Sequence, residues 1–195
     1  MAGAGRHGNV ASPQALIIGG SGMLAACASR LVADGWHVVL PSRRYMPLRE
    51  VPAGPATGRA LWVAADWSDP IGLAERAGKA LAGPAELLVT WVHREHRAGL
   101  LGAVAPLLLP DAPVVEVHGS AAFDQVTGRY PDPVLTDHPT QQVVLGFVPV
   151  GQTSRRLSHE EISEGVLDAV DRALAGKPPG VYQVGEPRPW SHLSN

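Results

Sequence analysis

The stretch ALIIGGSGMLAACASRLVADGWHVVLPSRR, residues 15–44, gives the clearest indication of the fold of this chain. An apolar run at 15–18 enters the glycine turn 19–22, and a helical pattern follows over 23–33. A second apolar run begins at 38–40. Strand, glycine turn, helix and strand, in this order, are typical of the first half of a dinucleotide-binding fold.

The glycine turn also has the spacing of a phosphate-binding loop. Gly20-x-Gly22-x-x-Ala25 matches the fingerprint G-x-G-x-x-G/A in the strand-to-helix context that this fingerprint requires. Gly19 and Gly20 permit the torsions of a tight turn, and Gly22 lets a pyrophosphate approach the unpaired amides at the helix start. We expect a dinucleotide at this turn; the alternative is a turn with a structural role alone.

Length and composition favour one globular domain. The chain has 195 residues, of which 45% are hydrophobic, and this is enough to bury one sizeable core. We expect a flexible leader at 1–13, a single domain over 14–190 and a tail at 191–195. A net charge of −2 gives no field that would attract nucleic acid or an anionic membrane.

The cellular context is also predicted from composition. The single cysteine, Cys27, lies within the first helical pattern, which favours a buried core thiol and a reducing compartment. No apolar segment approaches the roughly 20 residues that span a bilayer. These features predict a cytoplasmic protein.

Apolar runs and helical patterns alternate along the remaining sequence. Further strands are predicted at 61–65, 86–92, 114–117, 143–150 and 181–184, further helices at 70–81, 95–109 and from Ser158 to Gly176, and a long loop at 123–139. This alternation predicts an α/β protein: a Rossmann-type, doubly wound, mostly parallel sheet of about seven strands with helices on both faces. A ligand is then expected at the carboxyl ends of the strands.

The second strand indicates which dinucleotide is bound. It ends in Ser42-Arg43-Arg44, with no acid to bind the ribose 2′-hydroxyl of NAD. A guanidinium accommodates the 2′-phosphate of NADP, so we favour NADP(H) over two solvated arginines. Asp66 is placed to accept a hydrogen bond from the adenine amino group, or alternatively to cap the helix that begins at Pro70.

Seven segments together resemble the short-chain dehydrogenase/reductase (SDR) superfamily, in a compact branch. They are GGSGML (19–24), AADW (64–67), TWVH (90–93), HGSA (118–121), QVVLGF (142–147), LSHEEISEGV (157–166) and GEPRPW (185–190). The resemblance implies a phosphate turn, an NADP-selecting arginine (Arg43) and a catalytic serine (Ser120). The predicted cofactor-binding residues are Gly19, Gly20, Ser21, Gly22, Met23, Leu24, Ser42, Arg43, Arg44, Asp66, Trp67, Trp91 and Val92.

The sequence departs from the superfamily at the proton donor. Members carry a tyrosine and a lysine four residues apart on a helix after the serine. Here Tyr130 is followed four residues later by Val134 within a proline-rich loop, and the chain has only two lysines, Lys79 and Lys177. The usual pair is therefore absent.

Other residues must then handle the proton. The candidate catalytic residues are His93, a histidine at a strand end that is expected to face the nicotinamide side, Ser120 and Tyr130. Strand alternation predicts that His118 faces the same side as Ser120. No metal site is expected.

Two functions of different classes follow. The first is an NADP(H)-dependent reductase of a small carbonyl or imine that works without the tyrosine–lysine pair, or a non-redox enzyme that retains the cofactor. The second is a catalytically silent NADP-binding or regulatory module. The resemblance implies a homodimer or homotetramer, and the expected partner is a small-molecule substrate.

Overall fold

The computed structural model describes residues 12–19, 22–45, 47–48, 58–122 and 129–186. The elements within these ranges are β1 (Gln14–Ile18), α1 (Ala25–Ala33), β2 (His37–Ser42), β3 (Arg59–Ala64), α2 (Pro70–Ala80), β4 (Leu87–Trp91), α3 (Arg94–Val104), β5 (Val114–His118), β6 (Thr140–Leu145), β7 (Phe147–Val150), β8 (Thr153–Arg156), α4 (His159–Leu174) and β9 (Gly180–Val184). The predicted leader and tail lie outside the described residues, except for residues 12 and 13. So do Gly20 and Ser21.

Seven strands form one parallel sheet in the order β3-β2-β1-β4-β5-β6-β9. The chain moves outward in one direction from β1 and then returns to extend the sheet from β4. The switch point of the winding therefore lies between the carboxyl ends of β1 and β4, where doubly wound folds bind ligands. The prediction of a Rossmann-type sheet of about seven strands is confirmed.

Helices cover both faces of the sheet, as predicted. α1 and α4 pack on one face, against residues such as Ile17 and Val89. α2 and α3 pack on the other, against residues such as Leu16 and Leu88. Each fully buried aliphatic side chain contributes about 1.5–3 kcal/mol, so these two cores provide most of the stability. Cys27 belongs to the first core, and burial, aided by the charge of Asp171, raises the pKa of its thiol to about 12.

The connection from β5 to β6 departs from the usual pattern. Parallel neighbours are normally joined through a crossover helix. In the described parts of this connection, 119–122 and 129–139, the only helical element is one 3₁₀ turn at Ser120–Ala122. The loop predicted for 129–139 is confirmed, and residues 123–128 lie outside the described ranges.

The predicted single strand at 143–150 is wrong. β6 starts earlier, at Thr140, and ends at Leu145, while β7 pairs with β8 in an antiparallel hairpin. Gly146 separates the strands because its backbone packs against the carbonyl of Glu186, leaving no room for a Cβ. The start was missed because the strand opens with polar residues, which are nonetheless buried.

Candidate functional site

The turn after β1 requires glycine at its first position. Gly19 has a φ of 89°, and an added Cβ would lie 2.5 Å from the main-chain oxygen of Trp91. Gly22 is the opposite case, because an added Cβ there would meet no atom of the described residues within 4 Å. α1 has no side-chain cap, and the amide of its first residue, Ala25, donates to the carbonyl of Gly22 over 3.1 Å. The open space at Gly22, beside a helix start, fits a pyrophosphate.

Leu24, in the same turn, is fully buried, and the half-buried Met23 packs partly against the first core. The hydroxyl of Ser163 on α4 donates to the carbonyl of His159 over 2.7 Å and lies 3.4 Å from the carbonyl of Met23. This contact places the first turns of α4 beside the glycine turn.

The end of β2 presents two exposed arginines, Arg43 and Arg44. Ser42 is buried, and its hydroxyl donates to the carbonyl of Arg44 over 2.7 Å and accepts from the Trp62 indole over 2.9 Å. Ser42 therefore stabilises the bend that exposes the arginines and has little freedom to contact a ligand.

The carboxylate of Asp66, which follows β3, is hydrogen-bonded within its own turn. It accepts from the Ser68 amide and from the Ser68 hydroxyl, both over 2.9 Å, and these bonds lower its pKa. It does not cap α2. That cap is Asp69, which accepts from the amide of Gly72 over 3.0 Å. The capping alternative for Asp66 is therefore wrong.

Trp91 connects the glycine turn to the end of β5. Its main chain lies against Gly19, and its indole Cη2 would lie 3.9 Å from a Cβ added at Gly119. The side chain thus extends from the end of β4, beside the switch point, towards the end of β5. Val92 is 3% exposed, so little of it is accessible to a ligand.

His93 is the residue before α3 and is exposed. Its imidazole packs edge-on against the indole of Trp67, with 5.4 Å between ring centroids. His93 is therefore close to the end of β3, beside the residues predicted to meet adenosine. The contact with Trp67 was not predicted from the sequence, and the position of His93 relative to a nicotinamide stays a prediction.

A cavity of about 1080 Å³ opens at the carboxyl ends of β4 and β5. It lies between the start of α3 and residues 129–134. His93 and Tyr130 both line it, whereas Ser120 does not, although its neighbours Gly119 and Ala121 do. Ser120 itself lies half-buried in the 3₁₀ turn. The structure therefore brings two of the three candidate catalytic residues to one cavity.

A buried polar cluster forms part of the wall of this cavity, which Arg97 and His118 line. The Nη2 atom of Arg97 donates to the carbonyls of Val92 (2.9 Å) and Val117 (2.8 Å), and Nη1 donates to Glu116 (3.3 Å). Nη1 also contacts the imidazole of His118. Arg97 consequently ties α3 to the ends of β4 and β5.

Burial sets the protonation of this cluster. Burial, followed by the charge of Arg97, lowers the pKa of His118 to about 3. Burial raises the pKa of Glu116, partly offset by the Val134 amide and by Arg97, and lowers that of Arg97. His118 is therefore neutral near pH 7 and cannot donate a proton as an imidazolium.

Sequence reasoning missed Arg97, Glu116 and Gln142. A glutamate inside the apolar strand VVEVH was the available signal, because a carboxylate in a fully buried strand requires partners. Arg97 gave no such signal, since a charged residue near a helix start is ordinarily exposed.

Neither a metal-binding cluster nor a lysine is found at the cavity among the described residues. Within the described ranges, no group of three or more His, Cys, Asp or Glu side chains could hold a metal ion. Lys79 is in the last turn of α2, and Lys177 follows α4. Helices that return between parallel strands end at the opposite edge of the sheet, so both lysines lie away from the cavity.

Comparisons with known proteins agree with this architecture. No family model matches the chain, and no curated protein matches its sequence. Solved structures do match it: an NADH-dependent reductase in complex with NAD has a TM-score of 0.61 at 15% identity, covering 89% of this chain and 95% of the other. A 3-oxoacyl-[acyl-carrier protein] reductase from Brucella melitensis gives 0.60 at 13%, over 90% and 96%.

A short-chain dehydrogenase/reductase from Serratia marcescens gives a TM-score of 0.58 at 15% identity, over 89% of this chain and 97% of the other. The chain has the fold of these structures. At this level of identity the match concerns the fold alone. No described helix is both long enough and apolar enough to cross a bilayer.

Proposed function

We propose that this chain is an NADP(H)-dependent, SDR-like oxidoreductase that reduces a small carbonyl or imine without a tyrosine–lysine pair. One observation carries the proposal. Trp91 extends from the glycine turn at Gly19 to Gly119 at the rim of the cavity. A dinucleotide whose pyrophosphate lies at the turn, and which crosses the switch point, would bring its reactive ring to this cavity.

Preference for NADP(H) rests on the end of β2. Arg43 and Arg44 are exposed there, and no carboxylate follows the strand within the described residues 42–45. A guanidinium binds a 2′-phosphate through charge-assisted hydrogen bonds, which are stronger than neutral ones. One matched structure is that of an NADH-dependent reductase, so the arginines are the feature to test.

Bound NADPH would supply the hydride for the carbonyl or imine carbon. The chain must then deliver one proton to the oxygen or nitrogen. Tyr130 and His93 line the cavity and carry exchangeable protons, whereas His118, which also lines it, is neutral and held by Arg97. An imine suits this site because it is protonated more readily than a ketone. As an oxidoreductase of this fold, the protein is expected to form a homodimer or homotetramer.

A binding measurement followed by a turnover screen tests the proposal. We expect NADPH to bind at least about tenfold more tightly than NADH, a difference of about 1.4 kcal/mol, and Arg43→Ala to remove the difference. A panel of small carbonyls and imines should then show loss of NADPH absorbance. Tyr130→Phe and His93→Ala test the two candidate proton donors. The donor is the residue whose replacement abolishes turnover while NADPH binding is retained. Equal affinity for NADH would contradict the cofactor assignment.

The second candidate is an NADP-binding module without turnover, or a non-redox enzyme. The position of both lysines at the opposite edge of the sheet favours it, because neither can lower the pKa of a tyrosine in the cavity. Tight NADPH binding with no turnover across the panel, and no effect of either variant on any rate, would support this candidate over the reductase.

A further inference from the structure

The face of the sheet under residues 129–134 is polar. Glu116 on β5 is paired in register with Gln142 on β6, and Gln142 with Val181 on β9. Because side chains alternate along a strand, Gln183 projects from the same face as Val181. Three adjacent strands thus present Glu116, Gln142 and Gln183 on the face that a crossover helix would cover with apolar residues.

Each of these three side chains bonds to the segment 129–134. The hydroxyl of Tyr130 donates to Oε1 of Gln183 over 3.1 Å. Nε2 of Gln142 donates to the carbonyl of Pro131 over 2.8 Å. The amide of Val134 donates to Oε1 of Glu116 over 3.0 Å. The segment is therefore held at its start, near its middle and at its end.

Glu116 is itself fixed by a charge. Arg97, whose side chain is 11% exposed, donates to its second carboxylate oxygen over 3.3 Å. A buried carboxylate is tolerated when its oxygens are satisfied, and here one oxygen faces a guanidinium and the other an amide. Arg97 thus couples the start of α3, on one wall of the cavity, to the segment that forms the opposite wall.

We propose that Glu116, Gln142 and Gln183 are positioning residues for Tyr130. They hold the segment 129–134 against a polar sheet face and thereby fix the tyrosine at the cavity. No crossover helix does this in the described parts of the β5–β6 connection. The inference rests on the proposed function only in giving Tyr130 a proton to deliver. The three hydrogen bonds that Glu116, Gln142 and Gln183 make to the segment, here called the three anchors, do not depend on that function.

Two glutamines next to each other on β6 provide a matched pair for the test. Gln142→Leu removes the donor to Pro131. Gln141→Leu removes an equivalent buried donor, which bonds instead to the carbonyls of Lys177 and Pro178 and does not touch the segment. Both changes cost stability, but only the first should release residues 130–134. Gln183→Leu is a second variant at an exposed position, where loss of folding is not expected.

Two readouts report on the segment without any cofactor. Hydrogen exchange of the Val134 amide, which donates to Glu116, should accelerate by about tenfold or more in Gln142→Leu and stay at the wild-type rate in Gln141→Leu. The chain has only three tyrosines, so 3-fluorotyrosine labelling gives three ¹⁹F signals, and Tyr130→Phe assigns one of them. That signal should move in Gln142→Leu and in Gln183→Leu, and should remain in place in Gln141→Leu.

The outcomes separate this inference from the proposed function. If exchange and the ¹⁹F signal are unchanged in Gln142→Leu and Gln183→Leu, or respond equally in Gln141→Leu, the positioning role is overturned. Where turnover is found, kcat should fall in Gln142→Leu while KM for NADPH stays constant; an unchanged kcat with a displaced Tyr130 signal would also overturn it. Absence of NADPH binding, with both readouts as expected, would refute the proposed function and leave the three anchors supported.

Discussion

Gly19 faces the main-chain oxygen of Trp91 so closely that an added Cβ would lie 2.5 Å from it. The end of β4 therefore restricts the turn after β1 to glycine, and the φ of 89° imposes the same restriction independently. The glycine turn and the switch point of the sheet are consequently one packed unit.

Gly19→Ala should destabilise the protein by at least about 2 kcal/mol, from the strained torsion and the contact with Trp91 together. Urea or thermal unfolding would measure this loss. A Gly19→Ala variant with wild-type stability would show that the turn and the end of β4 are not packed as described.

Gly22→Ala provides the contrast. An added Cβ meets no atom of the described residues within 4 Å, so unfolding should be nearly unchanged. The methyl group would occupy the space that we assign to the pyrophosphate. NADPH affinity, measured by calorimetry, should fall at least about tenfold. Unaltered affinity would indicate that the phosphates bind elsewhere.

Arg97→Met should cost about 3–5 kcal/mol, because it leaves the carboxylate of Glu116 buried without its cation. Adding Glu116→Gln should recover part of this loss, since the amide oxygen can still accept from Val134. A double-mutant cycle on unfolding free energies measures the coupling. If the two losses simply add, the ion pair does not hold the cluster together. Arg76→Met, which removes an exposed pair with Asp69, is the control and should have little effect.

The low pKa of His118 predicts a pH dependence of stability. Its ordinary value is near 6.5 and the folded value is about 3, so between these limits the unfolded state binds a proton that the native state does not. The free energy of unfolding should therefore fall as pH is lowered through this window, by up to about 1.4 kcal/mol per pH unit.

Glu116, with its raised pKa, acts in the opposite direction, because the native state takes up a proton there at a higher pH than the unfolded chain. Comparing wild type with His118→Asn isolates the histidine, and the variant should show the flatter curve. His159→Asn, at an exposed position, should follow the wild type. Parallel curves for wild type and His118→Asn would contradict the assignment of a neutral, buried imidazole.

Much of the fold could be predicted because it depends on local patterns. Apolar runs such as 15–18 mark buried parallel strands. The helix predicted from Ser158 begins there, where Ser158 and Glu161 form both halves of a capping box. The β7–β8 hairpin was missed because its separation from β6 depends on Gly146 packing against Glu186, 40 residues away.

The site was less predictable for the same physical reason. The glycine turn and the arginines after β2 belong to one short stretch with a known mechanism. The cluster of Arg97, Glu116 and Gln142 joins a helix and two strands, and no local pattern encodes such contacts. His93 illustrates the limit: its place at a strand end was predicted, but its packing against Trp67 depends on how α3 departs from the sheet.

The burial of Cys27 has a practical consequence for these experiments. It is the chain's single cysteine, and with a pKa of about 12 its thiol is protonated and shielded at neutral pH. Thiolates are the species that alkylating dyes attack, so the native protein should resist them. A cysteine introduced at an exposed position would then be the one reactive thiol. A fluorophore or spin label could be attached there without first replacing a native residue.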